Sequence, residues 1–117
     1  MSNAVSAALT TALAGLVGGR VHEMRMPDKP IYPCIRYLMA GSNPDTTLLG
    51  EASCTTWRYR LDVYARTAKE AGQVVASARS IMRGFAYPAL PVMEVEGYEP
   101  ILGICRRTID FNVVEQQ

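Results

Sequence analysis

The side chains in this sequence with the most chemical potential are one histidine, His22, three cysteines, Cys34, Cys54 and Cys105, and three closely spaced glutamates, Glu94, Glu96 and Glu99. A metal centre needs three or four convergent ligands, and His22 has no second histidine and no cysteine at ligand spacing. It reads as a structural or surface residue, and no metal is expected. The cysteines are odd in number and lack CxxC spacing, so they form neither a disulfide framework nor an activated-thiol motif. They read as small hydrophobes in a reduced protein. Paired carboxylates can act as acid and base in glycoside cleavage. Glu94 and Glu96, however, stand two apart on one strand face, as on a solvated or interface edge. Gly18-Gly19 closes a helix where a phosphate-binding loop would open one, and no Lys-Ser/Thr follows. No catalytic, cofactor-binding or metal-binding residue is therefore assigned.

The arginines carry more information. Arg58 and Arg60 share one face of a predicted strand, opposite Trp57 and Tyr59, while Arg106 and Arg107 fall on opposite faces of another. Such arginines can pair across strands with Asp62, Asp110 or a glutamate. They can equally form a strip that meets a neighbouring subunit, because Arg with Tyr and Trp is enriched at interfaces. Arg58, Arg60, Tyr64 and Arg106 are the candidate subunit-interface residues.

The elements that position these groups follow from periodicity. Thr55–Ala65 alternates: Trp57, Tyr59, Leu61, Val63 and Ala65 face one way, and Arg58, Arg60, Asp62 and Tyr64 the other, as in a half-buried strand. Thr67 and Glu70 then have capping-box spacing. Ala71, Val74, Val75, Ala78 and Met82 form one stripe of a helix that Gly84 ends in a left-handed conformation. An earlier helix carries Val5, Ala8, Leu9, Ala12, Leu13 and Leu16, capped by Ser2 or Asn3 and stopped at Gly18-Gly19. This apolar N-terminal run has no Lys or Arg before Arg20 and is shorter than a membrane span, so it reads as a packed helix. No membrane partner is expected.

Arg20–Met24 is a short extended stretch. Pro27, Pro30 and Pro33 make a surface loop, and Cys34–Gly41 is a strand apolar on both faces. Ser42–Ser53 is read as a long polar β-hairpin connection and Ala86–Pro91 as a second irregular passage. Val92–Glu96 is a strand, Glu99-Pro100 breaks it, and Ile104–Val114 is the last strand, with Cys105, Arg107, Ile109, Phe111 and Val113 facing the core. The order is helix, three strands, helix, two strands. This predicts an α+β fold: a mostly antiparallel sheet of four to five strands with two helices packed on one face. A chain of 117 residues with 49% hydrophobic content supports a single domain over 1–117. Its net charge of +1 gives no argument for nucleic-acid binding through a basic surface.

Four segments together resemble the tail-completion, or tail-terminator, family of long-tailed phages and prophages. L-A-G-L-V-G-G-R-V-H at Leu13–His22 is similar to the family's opening helix and its stop. M-P-D-K-P-I-Y-P-C-I-R-Y at Met26–Tyr37 resembles its proline-rich approach to a strand. R-Y-R-L-D-V-Y-A-R-T-A-K-E-A at Arg58–Ala71 is similar to its strand ending D-x-Y/W-A followed by a helix opening Ser/Thr-x-x-E-A. Y-E-P-I-L-G-I-C-R-R-T-I-D-F-N-V at Tyr98–Val113 resembles its closing segment. The passage after the second helix departs from the family in being shorter and interrupted by proline.

The resemblance implies a non-enzymatic virion protein without cofactors. It implies copies assembled as a ring, commonly a hexamer, on the head-proximal end of the tail tube, ending tube polymerisation and joining tail to head. The implied partners are further copies, the tail tube protein and the head connector protein, with DNA only as passing cargo. The implied location is the host bacterial cytoplasm during assembly and then the head-proximal end of the virion tail. Glu94, Glu96 and Glu99 are the candidate lumen-facing residues, where they would repel phosphates. A head-side connector or stopper protein and a small-molecule binding module are the competing readings.

Overall fold

The structure is a computed structural model and describes residues 3–46 and 52–116. The elements are α1 (Asn3–Ala14), β1 (Val21–Glu23), β2 (Cys34–Thr46), β3 (Ala52–Ala65), α2 (Ala68–Arg83), β4 (Ala89–Glu99) and β5 (Ile104–Gln116). The order of helices and strands is the predicted one. The strands form one sheet in the order β1-β2-β3-β5-β4. Only β1 and β2 pair in parallel; the other three ladders are antiparallel. The fold is α+β, as expected.

The centre of the sheet is β3, because the alternation along it assigns every residue to a side. Tyr59, Leu61, Val63 and Ala65 are buried, and they lie beside Ile35 and Tyr37 of β2 and Ile109, Phe111 and Val113 of β5. On these residues sit Val5, Leu9 and Leu13 of α1 and Ala71, Val74, Val75, Ala78 and Met82 of α2. The α2 stripe is the one the sequence spacing predicts. Burying a dozen such side chains at about 1.5–3 kcal/mol each is what holds the helix layer to the sheet.

Polar bonds fix the register of α1 on the sheet. Ser6 Oγ and Tyr59 OH lie 3.0 Å apart, Tyr37 OH donates to the Ser6 carbonyl at 3.1 Å, and Thr10 Oγ1 lies 2.9 Å from Tyr37 OH. Each buried hydroxyl thus has a partner, as burial requires. At the start of α2, Thr67 accepts from the Glu70 amide at 3.1 Å, so the predicted N-cap is present.

Several boundaries differ from the expectation. Ser42–Thr46 and Ala52–Ser53 are strand, so β2 and β3 pair further than expected, with β5 alongside β3 as far as Cys54; residues 47–51 lie outside the described residues. Polar composition hid this. Ala89–Pro91 belongs to β4, where Pro91 is tolerated on an edge strand next to a register shift between Pro91 and Met93. Gly84 caps α2 with φ −103°, not left-handed, its amide reaching the Ile81 carbonyl at 3.1 Å. Gly18 and Gly19 do take positive φ after α1, and Leu16 falls in the turn between. Ser2, one of the two expected caps, lies outside the described residues. No described helix is long and apolar enough to cross a membrane.

Candidate interaction surface

The sheet has a second face, opposite the helices, and its polar side chains form a lattice of ion pairs. β3 supplies Arg58, Arg60, Asp62 and Tyr64 to this face; β2 supplies Arg36 and β5 supplies Arg106, Thr108 and Asp110. Their positions follow from strand alternation, since the neighbours of each along its strand point to the helix side. Asp110 is fully buried and accepts from Arg58 Nε at 2.9 Å, Arg60 Nε at 2.9 Å and Arg60 Nη2 at 3.1 Å. Burial pushes its carboxyl pKa up, but the hydrogen bonds from Arg60 and Arg58 outweigh this and hold it below the ordinary value. Asp62 is likewise buried and accepts from Arg36 Nη2 and Thr108 Oγ1. The Arg36 guanidinium lies over the Tyr64 ring, 5.9 Å from its centroid.

All four candidate interface residues therefore come together on one open face. Tyr64 and Arg106 are direct cross-strand partners, and Arg58 and Arg60 converge on Asp110. The pairing reading of these arginines is the one seen within the subunit. They pair internally, and their side chains still show 41% and 39% of their surface. A pre-organised guanidinium held by a buried carboxylate keeps its remaining donors for a neighbour.

The three candidate acidic residues do not share a face. Glu94 and Glu96 lie opposite Ile109 and Arg107 on the helix side of β4, while Glu99 lies opposite Ile104 on the open side. Each is paired: Glu94 with Arg79 at 3.3 Å and Arg107 at 3.4 Å, Glu96 with Arg107 at 3.1 Å, and Glu99 with Arg106 at 3.0 Å. Their common feature is the free edge of β4. Arg107, placed on the core side by the sequence pattern, is half-buried there and turns its guanidinium out to these glutamates.

The histidine, the cysteines and the glutamates do not converge on one site among the described residues. Cys34 is buried, which raises its thiol pKa against a smaller opposing effect of Arg20, so it is not an activated nucleophile. No group of three or more His, Cys, Asp and Glu among the described residues could hold a metal ion. The clefts between α2 and β4 are small, about 170 and 210 Å³, and each is lined by ion-paired arginine. Ligand pockets usually run from ~300 Å³ upward.

Sequence reasoning missed two features. Arg36 completes the lattice by pairing with Asp62, a carboxylate the sequence had offered only to Arg58, Arg60, Arg106 and Arg107. The turn between β4 and β5 projects Ile101, 98% exposed, and Leu102, 65% exposed. Gly103 closes this turn at φ +65°, its amide donating to the Glu99 carbonyl at 2.8 Å. Two large aliphatic residues inside a turn were the available signal, because turns otherwise favour polar residues.

The fold has a close counterpart among solved structures. One chain of a "Virion of native gene transfer agent (GTA) particle" is similar to this one with a TM-score of 0.69 and 15% sequence identity, covering 99% of this chain and 100% of that one. No curated protein matches the sequence. Residues 3–99 match the family described as "Tail completion protein gp17", a span that includes both helices, β1–β3 and the whole acidic edge strand β4. The chain belongs to this tail completion family.

Proposed function

We propose that this protein caps the head-proximal end of a phage tail tube, ends tube polymerisation and joins the tail to the head. Membership of the tail completion family makes it a structural component of a phage tail, and the match over residues 3–99 carries the reading. Its role is architectural, not enzymatic. The similar chain from a virion particle supports the same fold in such an assembly. Copies of the chain form a ring, a hexamer, that contacts the tail tube protein on one side and the head connector protein on the other, with DNA passing through.

A ring needs head-to-tail contacts between unlike patches of one subunit. The open sheet face bearing Arg58, Arg60, Tyr64 and Arg106 is one such patch, and the free edge of β4 is another. Lining the lumen with Glu94, Glu96 and Glu99 along that edge would keep phosphates from adhering. Assembly takes place in the host bacterial cytoplasm.

Deleting the gene from an inducible prophage tests the proposal. Over-long tails, or heads and tails left unjoined, are the expected products. Normal virions would overturn it. Immunolabelling of separated heads and tails distinguishes a tail cap from a head-side stopper.

A further inference from the structure

A cleft of about 440 Å³ opens on the sheet face away from the helices, between the proline loop and the β4–β5 turn. Its walls are apolar: Pro27, Pro30, Tyr32 and Leu102. Its floor is Arg36, Tyr64 and Arg106. The two arginines have one carboxylate partner each, Asp62 for Arg36 and Glu99 for Arg106. A guanidinium has five donors. The Nε of each is buried and finds no acceptor among the described residues. Arg107 Nε, outside the cleft, also lacks a hydrogen bond but faces Glu94 at 3.4 Å. Buried donors without acceptors are rare and costly. A third cation, Arg66, stacks on the Tyr32 ring at 5.6 Å, beside the cleft wall. Each buried Nε is closed to a ligand, but the Arg36 and Arg106 side chains keep 28% and 35% of their surface, so their terminal nitrogens are the donors the cleft offers among its apolar walls.

We propose that this cleft receives one carboxylate from a partner polypeptide, an Asp or Glu side chain flanked by aliphatic residues. The carboxylate meets the guanidinium groups of Arg36 and Arg106, and the flanking residues pack on Pro30, Tyr32 and Leu102. A nucleic-acid strand suits the site less well. Its repeated phosphates would meet Asp28 and Glu99, which also line the cleft, and would gain nothing from the proline walls. A single carboxylate brings only one charge near Asp28 and Glu99, and its apolar neighbours gain the proline walls. The site stands on the cleft alone and does not depend on the capping role.

Two-dimensional NMR of the full chain, observing arginine Nε–H signals, tests this. The probes are acetyl-Leu-Asp-Leu-amide, its Asn counterpart, and a thymidine oligonucleotide of about ten nucleotides. The Asp peptide should shift the Arg36 and Arg106 signals in a saturable manner at about millimolar concentration. The Asn peptide should bind at least about tenfold more weakly, a difference of about 1.4 kcal/mol. Arg106→Gln should remove the response, and Leu102→Ala, at an exposed position that leaves the fold intact, should weaken it several-fold. Equal shifts with the Asn peptide, saturation by the oligonucleotide instead, an unchanged response in Leu102→Ala, or no shift with any probe would each overturn the proposal.

Discussion

Arg60 and Asp110 face each other across the β3–β5 ladder and form a two-point ion pair, Nε to Oδ1 at 2.9 Å and Nη2 to Oδ2 at 3.1 Å. Asp110 has no exposed surface, whereas Arg60 keeps 39% of its side-chain surface. Arg58 adds a third bond to the same carboxylate. A buried carboxylate thus anchors a half-exposed cationic strip.

Replacing the anchor should cost stability. Asp110→Asn leaves the shape unchanged but removes the charge that both guanidinium groups meet, and we expect a loss of about 2–3 kcal/mol, at the lower end because the arginines reach water. The effect should also depend on pH. The folded carboxyl pKa lies below its ordinary value, so the unfolded chain takes up the proton first. The stabilisation is present above the usual carboxylate pKa, near 4, and fades as pH falls through the lower folded value. Urea unfolding from neutral pH to about pH 3 should show the wild type losing more stability than Asp110→Asn. Parallel curves would show that the pair contributes nothing.

Tyr59→Phe keeps the ring between the sheet and α1 but deletes the hydroxyl that lies 3.0 Å from Ser6 Oγ. Ser6 is itself buried. We expect a loss of about 1 kcal/mol in thermal or urea unfolding. A neutral result would mean that packing alone seats α1.

Trp57 shares the core-facing side of β3 with Tyr59 but is only partly buried, and its indole donates to Glu115 at 2.9 Å. A fully buried tryptophan would cost about 3–5 kcal/mol on truncation to alanine. The observed position, near the end of the helix layer, predicts a smaller loss of about 1–3 kcal/mol for Trp57→Ala. Equilibrium unfolding measures it; a loss at the full core value would place the indole deeper than described.

Gly97 is opposite Arg106, and a Cβ there would run into Arg106 Nη2. That atom ends a flexible side chain, so Gly97→Ala should leave stability within about 1 kcal/mol of wild type. The guanidinium, however, must swing away from β4 and release Glu99. A shifted Arg106 Nε–H signal on an otherwise unchanged NMR spectrum is the expected readout; an unmoved signal would show that the strand yields instead.

Much of this arrangement was legible where one face of an element is buried. The period-two run from Trp57 to Ala65 and the stripe from Ala71 to Met82 placed β3 and α2 correctly, because each position either enters the core or does not. Thr67 was legible because a helix needs an acceptor for its first amides. Ser42–Thr46 was not, because S-N-P-D-T carries no apolar alternation to betray a strand. Pro91 misled for a related reason: on the outer edge of β4 its missing amide costs nothing. The lattice around Asp62 and Asp110 was half legible. Alternation gave the shared face, but nothing local reveals which of several arginines meets a given carboxylate, since that depends on the cross-strand register. Ile101 and Leu102 announced themselves only by being the wrong residues for a turn.

The long pairing of β2 with β3 has a kinetic consequence. It runs from Cys34↔Tyr64 to Thr46↔Ala52, while β5 accompanies β3 only as far as Cys54, and the buried Leu61, Ile109 and Phe111 lie well inside the three-stranded part. Amides at the Thr46↔Ala52 end should therefore exchange with solvent through local opening, well ahead of those of Tyr59 to Val63, which wait for global unfolding.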